Sequence, residues 1–489
     1  MKGFVPGAPR LWPAMHGVQR LLLPSLFLLF SLPVLLLQSV LVPPGEVPDE
    51  VAHIARAASL LHGEVIGHRQ TRTNADGRVV TEAGVTVNPG LIGAAFAFGQ
   101  RDKKVTPELQ ADFKVRPWAP AAGFAPVPNT AVYTPTFYLP GAFGLGVAHL
   151  LHRGPYRAIL AGRILNSLTY AALGLAALLL ARRLRGVLFA TLLLPMSLAL
   201  AASFNQDGLM IASSVLAAAL LTRGTPASYW AAGAILAAVI AAKPPYIPLA
   251  LVMGVVPAAY LGRNSRLQRL GGVALAGLPA LAWTALAQSR AMVPFERGEA
   301  YHPGPLWPGD PSRVFLTTDP SAQLQVLLHR PLLGITLPLQ ELQVWWEGHL
   351  QQFVGYLGLL DTPLPDDLYT LWYAAILAVL AGEAFGARHD ATGPRALQSL
   401  AIISLAVLSA WLVYIAQYLS WTPVGNAMLE GVQGRYFIPL LPVLGLAVPR
   451  LVLPGGSVLR HVLRVPAVAA AGAGMVAVPV LTVMAYYMR

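Results

Sequence analysis

Long apolar runs separated by short, arginine-bearing loops constrain this chain more than any other feature. Such runs are expected to cross a membrane at about 21–42, 158–181, 187–204, 208–222, 227–242, 246–262, 270–289, 370–386, 396–419, 436–453 and 465–487. A hydrocarbon core is about 30 Å thick, and in lipid a spanning segment must satisfy its own backbone, which an α-helix does. The 489 residues are 55% hydrophobic and 11% charged, against about 25% charged for a soluble domain. The expected fold is an all-α integral membrane protein, a polytopic bundle of about eleven transmembrane helices forming a single domain over residues 1–489.

The loops give the topology. The first run, Leu21 to Val42, follows Lys2, Arg10 and Arg20 and meets Pro43-Pro44 without a small-residue cleavage site. It therefore reads as a retained signal anchor with a cytoplasmic N-terminus. The basic loops carry Arg182, Arg183 and Arg185; Arg223; Arg263, Arg266 and Arg269; Arg388 and Arg395; and Arg450, Arg460 and Arg464. Counted along the expected spans, all five fall on the N-terminal side, as the positive-inside bias requires. Residues 43–157 and 290–369 then form two large extracytoplasmic loops. The segment 135–151 is apolar but short and carries Pro140 and several glycines. As a span it would invert every later basic loop, so it is expected to be a juxtamembrane or re-entrant helix. The net charge of +12 sits largely in these loops and does not point to nucleic acid. Arginine outnumbers lysine 29 to 5, in keeping with a bacterial genome rich in G and C, and there is no cysteine for disulfide or thiolate–metal chemistry.

Four positions could carry chemistry. Pro48-Asp49-Glu50-Val51-Ala52-His53-Ile54-Ala55-Arg56 follows the first span. On a helix Asp49, His53 and Arg56 share a face, and Val51, Ile54, Ala55 and Ala58 suit the membrane surface. A carboxylate beside an imidazole can deprotonate a hydroxyl or hold a divalent cation, Mg2+ or Mn2+; the plainer alternative is an acidic helix cap. Asp207, in Ser203-Phe204-Asn205-Gln206-Asp207-Gly208, is a second acid at the outer end of a span, either part of a shared site or a cap of its own. Lys243 and Arg435 open later spans from the same side, where they could hold a phosphate or snorkel to headgroups. In the second loop Trp345 and Trp346 read as an interfacial belt, and Asp361 is a weaker acidic candidate. No Walker A, GxGxxG, zinc or GxSxG pattern is found.

Pro48-Asp49-Glu50 with His53 and Arg56, Ser203 to Asp207, Lys243-Pro244-Pro245-Tyr246, Gly358 to Pro365 and Gly434-Arg435-Tyr436-Phe437 occur in an order that resembles a family of bacterial predicted membrane proteins of unassigned function, grouped with the GT-C glycosyltransferases. The resemblance covers residues 20–455, and Leu359 departs from it where an aromatic residue is expected. It implies a GT-C-type fold and an inverting transfer of sugar from a polyprenyl-phosphate donor to an extracytoplasmic glycan, lipid or protein acceptor. Asp49 would be base or metal ligand, Asp207 the second acid, Glu50 and His53 supports that orient Asp49, and Lys243 and Arg435 the holders of the donor phosphate. The implied location is the bacterial inner membrane, with the site on its outer side. Two other classes stay open: a transporter or flippase of lipid-linked saccharides, which would place ionisable groups near the midplane, and a silent subunit of an envelope-polymer assembly.

Overall fold

Prolines break three of the apolar runs, although Trp12–Leu41, Ser265–Arg290 and Val465–Tyr486 stay continuous with prolines inside them. The computed structural model describes residues 12–73, 77–98, 104–296, 317–386, 393–452 and 455–488. Lys2, Arg10 and Arg388 of the topology argument lie outside the described residues. After α1 (Trp12–Leu41) and α2 (Glu50–Ser59) come α3 (Leu139–Leu150), α4 (Pro155–Leu180), α5 (Arg185–Leu193), α6 (Pro195–Ala201), α7 (Gln206–Leu221) and α8 (Pro226–Ala242). Then follow α9 (Ser265–Arg290), α10 (Leu333–Val354), α11 (Asp366–Ala384), α12 (Ala396–Ser420) and α13 (Val465–Tyr486).

Among the described residues, five helices are long and apolar enough to cross a membrane: Leu21–Leu41 of α1, then α4, α9, α12 and Gly456–Tyr486; six if α6 and α7, bent by 118°, count as one. The eleven expected spans are not all continuous helices. The run 187–204 breaks at Leu194, whose backbone is extended (φ −53°, ψ 132°) because the ring of Pro195 excludes the helical region for the residue before it. The run 246–262 holds a 3₁₀ stretch, Pro244–Leu251, and a single turn, Val252–Val255, with Pro244, Pro245 and Pro248 withholding donors. The run 436–453 divides the same way into Gly434–Leu440 and Leu441–Leu446 around Pro439 and Pro442. The 12 residues of α3 rise about 18 Å, short of a hydrocarbon core, so it does not span alone. It lies on α4 at glycine contacts, where a Cβ on Gly144 would come within 2.6 Å of the Gly162 Cα.

The helices pack through one apolar core: α1 on α4 and α13, α4 on α7, α8 on α9, α11 on α13. The first loop has a core of its own. An antiparallel sheet, β1 (His68–Thr73), β2 (Val79–Val87) and β3 (Gly123–Pro126), covers α2. Ile54, Ala55 and Ala58 are buried with Val85, Leu91 and Tyr138. The apolar side of α2 therefore faces protein, not the membrane surface expected for it; the hairpin and α3 supply the apolar partners.

The basic loops meet at one end of the bundle. Thr222 Oγ1 accepts from the Arg182 N–H, Arg183 donates to the Val448 carbonyl, and Arg460 donates to the Phe385 carbonyl. Gln398 donates to the Val255 carbonyl, and Arg269 donates to Gly254 and Val256. Asp207 and Thr222 lie at opposite ends of α7, about 22 Å apart along its axis. The candidate residues thus sit at the end away from the arginines.

Candidate functional site at the end opposite the basic loops

A buried ion pair sets the frame. Glu50 and Arg163 are both buried, with Arg163 Nε donating to Glu50 Oε1 at 2.8 Å. Glu50 also accepts from the N–H groups of Gly45 (3.0 Å) and Phe204 (3.2 Å), and Arg163 donates to the carbonyls of Val42 and Pro43. One pair of side chains thereby fastens the end of α1, the turn before α2, the body of α4 and the turn between α6 and α7.

That frame holds two carboxylates away from capping duty. Asp49 precedes α2 in the left-handed region (φ 61°, ψ 7°), which aspartate tolerates better than most residues, and its side chain makes no capping bond. At α7 the cap is Asn205, which accepts from the Asp207 N–H at 2.9 Å and donates to the Pro48 carbonyl at 3.1 Å. Lys243 projects from the break between α8 and the 3₁₀ stretch at Pro244, and Arg435 from the first turn of Gly434–Leu440.

The four charges converge. Arg435 Nη2 is 2.9 Å from Asp49 Oδ2, its Nε is 3.7 Å from Asp207 Oδ2, and Lys243 Nζ is 3.5 Å from Asp207 Oδ1. Lys243 also sits 3.4 Å from the centre of the Tyr436 ring, whose backbone carbonyl accepts from the Tyr246 hydroxyl. The Asp49 side chain is 36% exposed, against 13% for Lys243, 5% for Asp207 and 1% for Arg435. Since one guanidinium touches both acids, they lie well inside the about 15 Å beyond which they could not serve one reacting centre. Burial pulls the Lys243 ammonium down to about 8, against the upward pull of Asp207. His53 lies beside the cluster with Nδ1 2.6 Å from the Tyr138 hydroxyl, its ring near-parallel to those of Tyr133 and Tyr138. Burial takes its imidazole down to about 4, outweighing Asp49 and Asp207, so it is neutral near pH 7.

Asp49, Asp207, Lys243 and Arg435 are thus brought together, and other expected residues are not. Glu50 does not support the Asp49 carboxylate; its oxygens are taken by Arg163 and two backbone donors. His53 pairs with Tyr138 rather than Asp49. Arg56 is buried and donates to Ser59 and to the carbonyls of Tyr133, Glu64 and Val65, closing the first loop. Asp361 accepts from Thr362 in the turn after Leu357, and Trp345 and Trp346 are exposed on α10. Asp49 and Asp207 do not fit a divalent cation as arranged. Each already faces a cationic side chain, and no group of three or more His, Asp or Glu gathers as ligands among the described residues. Sequence reasoning missed Arg163, Asn205 and Tyr436. Arg163 could have been found, being a cation inside an apolar run, where a partner is required.

No curated protein and no solved structure matches the chain. One family does, described as a predicted membrane protein (DUF2142), over residues 32–444, a stretch that takes in Asp49, Asp207, Lys243 and Arg435. The chain belongs to this membrane-protein family.

Proposed function

We propose that the chain is a GT-C-type glycosyltransferase of the bacterial inner membrane, moving a sugar from a polyprenyl-phosphate donor to an extracytoplasmic acceptor. The observation that carries this reading is the contact of one buried guanidinium, Arg435, with Asp49 and Asp207, and of Lys243 with Asp207. Arg435 and Lys243 offer donors to a phosphate leaving group, and Asp49 is the more exposed of the two acids. In the reaction an acceptor hydroxyl oxygen attacks the anomeric carbon, and its proton passes to the Asp49 carboxylate. The bond from the anomeric carbon to the phosphate oxygen breaks, and its electron pair leaves with the phosphate. Attack from the opposite face inverts the centre. Asp207 holds Lys243 and Arg435 in place, and the two cations stabilise the charge that develops on the phosphate.

The test is transfer by the purified full-length protein from a panel of polyprenyl-phosphate sugars. Asp49→Asn should slow it by about 10²-fold or more, in the range for loss of a general base, and Asp207→Asn should reduce it with the fold intact. Full activity in both variants would remove the assignment. Activity is expected to survive EDTA; loss restored by Mg2+ or Mn2+ would make Asp49 and Asp207 metal ligands instead. Transbilayer movement of a lipid-linked saccharide without transfer would favour the transporter.

A further inference from the structure

Arg435 is 1% exposed, yet its Nε and Nη1 make no hydrogen bond among the described residues. Nε faces Asp207 at 3.7 Å, beyond hydrogen-bonding distance, and buried donors without a full hydrogen bond call for an explanation such as a bound ligand. Its hydrogen bond of 2.9 Å runs from Nη2 to Asp49, the most exposed of the four charges. Asp49 reaches it from a left-handed backbone with its helix-capping role unused, and non-glycine residues hold such conformations where the surroundings impose them, often at functional sites. An anion arriving from outside meets Asp49 first and Arg435 behind it.

We propose that the Asp49–Arg435 ion pair is a latch opened by a phosphate-bearing ligand, which must bind before Asp49 can act as a base. This rests on the reading of the site as one for phosphate-linked donors. A phosphate group takes the place of Asp49 on Nη2 and engages Nη1 beside it, in the two-pronged geometry that guanidinium favours. The contact gives the order of events, because Asp49 is held by Arg435 until a phosphate displaces it. Asp49 and Asp207 balance Arg435 and Lys243 at zero; a bound phosphodiester adds one negative charge. That excess persists through transfer: as the displaced Asp49 becomes neutral on taking the acceptor's proton, the departing phosphate gains a second negative charge, which Arg435 and Lys243, now free of Asp49, stabilise. Donor binding and base release are then one event, and an acceptor arriving first finds the carboxylate occupied.

Equilibrium binding of farnesyl phosphate to the full-length protein in nanodiscs tests this, with inorganic phosphate and farnesol as parallel probes. Removing the competing carboxylate should tighten binding, so Asp49→Asn, which tolerates the left-handed backbone, is expected to bind farnesyl phosphate about 2- to 5-fold more tightly than the unmodified chain, the scale of one partly exposed ion pair. Arg435→Gln should abolish binding. Asp207→Asn should tighten it less than Asp49→Asn, because Asp207 does not hold Nη2. Unchanged or weaker binding in Asp49→Asn with an unaltered unfolding midpoint overturns the latch, and so does an equal gain in Asp207→Asn. Inorganic phosphate competing as well as farnesyl phosphate assigns the latch to a free phosphate; a preference of ten-fold or more for the lipid assigns it to a lipid phosphate. If binding tightens as stated but no polyprenyl-phosphate sugar is transferred, the latch stands and the glycosyltransferase reading falls. If transfer occurs without that tightening, the latch alone falls.

Discussion

Glu50 has its hydrogen-bonding capacity committed, to Arg163 and to the N–H groups of Gly45 and Phe204, so its role is to hold three chain segments together. Removing one partner of such a pair strands a buried charge, and Glu50→Gln is expected to cost about 3–5 kcal/mol of stability, read as a lower unfolding midpoint in detergent. Replacing both partners, Glu50→Leu with Arg163→Met, should recover much of that loss and retain transfer. A folded but inactive double variant would instead give Glu50 a direct part in catalysis. Lys243 makes the second prediction. Its ammonium loses its proton as pH rises through about 8, so phosphate binding should hold at pH 7 and fall above pH 8. Lys243→Arg should keep binding level to about pH 10, since guanidinium stays charged; a fall at the same pH in both proteins would exclude Lys243 as its source. His53, neutral above about pH 4, contributes no limb in this range. The four charges were legible one by one, because each stands at the boundary of an apolar run. Their pairing was not: Asp49 and Arg435 are 386 positions apart, and nothing local says which cation meets which acid.

The element that delivers Arg435 is irregular, and a helix outside the expected spans supports it. Gly434 lies so close to α10 that a Cβ on it would fall 1.9 Å from the His349 carbonyl oxygen, and its N–H donates to Gln352 at 2.9 Å. The Phe437 ring packs against His349 and Tyr414, fixing the next turn. Gly434→Ala must therefore push the Arg435 segment off α10. A cost of about 1–3 kcal/mol is expected, as for other overpacked sites, with a larger loss of phosphate binding than of thermal stability. Normal binding in this variant would show that Arg435 does not depend on α10 for its position. Hydropathy could not reveal this arrangement. It registers 246–262 and 436–453 as apolar but is blind to the missing N–H donors of Pro244, Pro245, Pro248, Pro439 and Pro442, which divide both runs into short 3₁₀ and α-helical pieces. Length and composition did find α1, α4, α9, α12 and α13, where the helix runs unbroken for 22 residues or more.

At the scale of the whole molecule, two ends with opposite chemistry are joined by apolar helices, and α10 lies between them rather than beyond them. Trp411 of α12 donates to the Gly334 carbonyl at 2.9 Å, and Tyr414 meets His349 edge-on. These α12 residues are nine and six positions from Ser420, about 13 and 9 Å below that end of the helix. Gly334 and His349 are about 22 Å apart along α10, while the α12 residues they meet are only three positions apart, so the two helices cross rather than run side by side. Its exposed residues Ile335, Leu339, Leu342, Trp346 and Leu350 recur at three- and four-residue intervals, a continuous apolar stripe. Lipid against that stripe would hold α10, and through Gly434 the Arg435 segment, at membrane depth. Because the chain has no cysteine, single introduced cysteines report on it without background. Spin labels at Leu339→Cys and Trp346→Cys should collide more with oxygen than with a water-soluble nickel chelate; the reverse ratio would place α10 in water. Exposed positions at the two ends give the orientation. In intact cells an impermeant maleimide that has crossed any outer membrane should label Thr71→Cys, on the hairpin beside α2, and should label Ala227→Cys, next to Arg223, only after the membrane is opened. The opposite pattern would put the Asp49 cluster in the cytoplasm, and with it any donor the site could use.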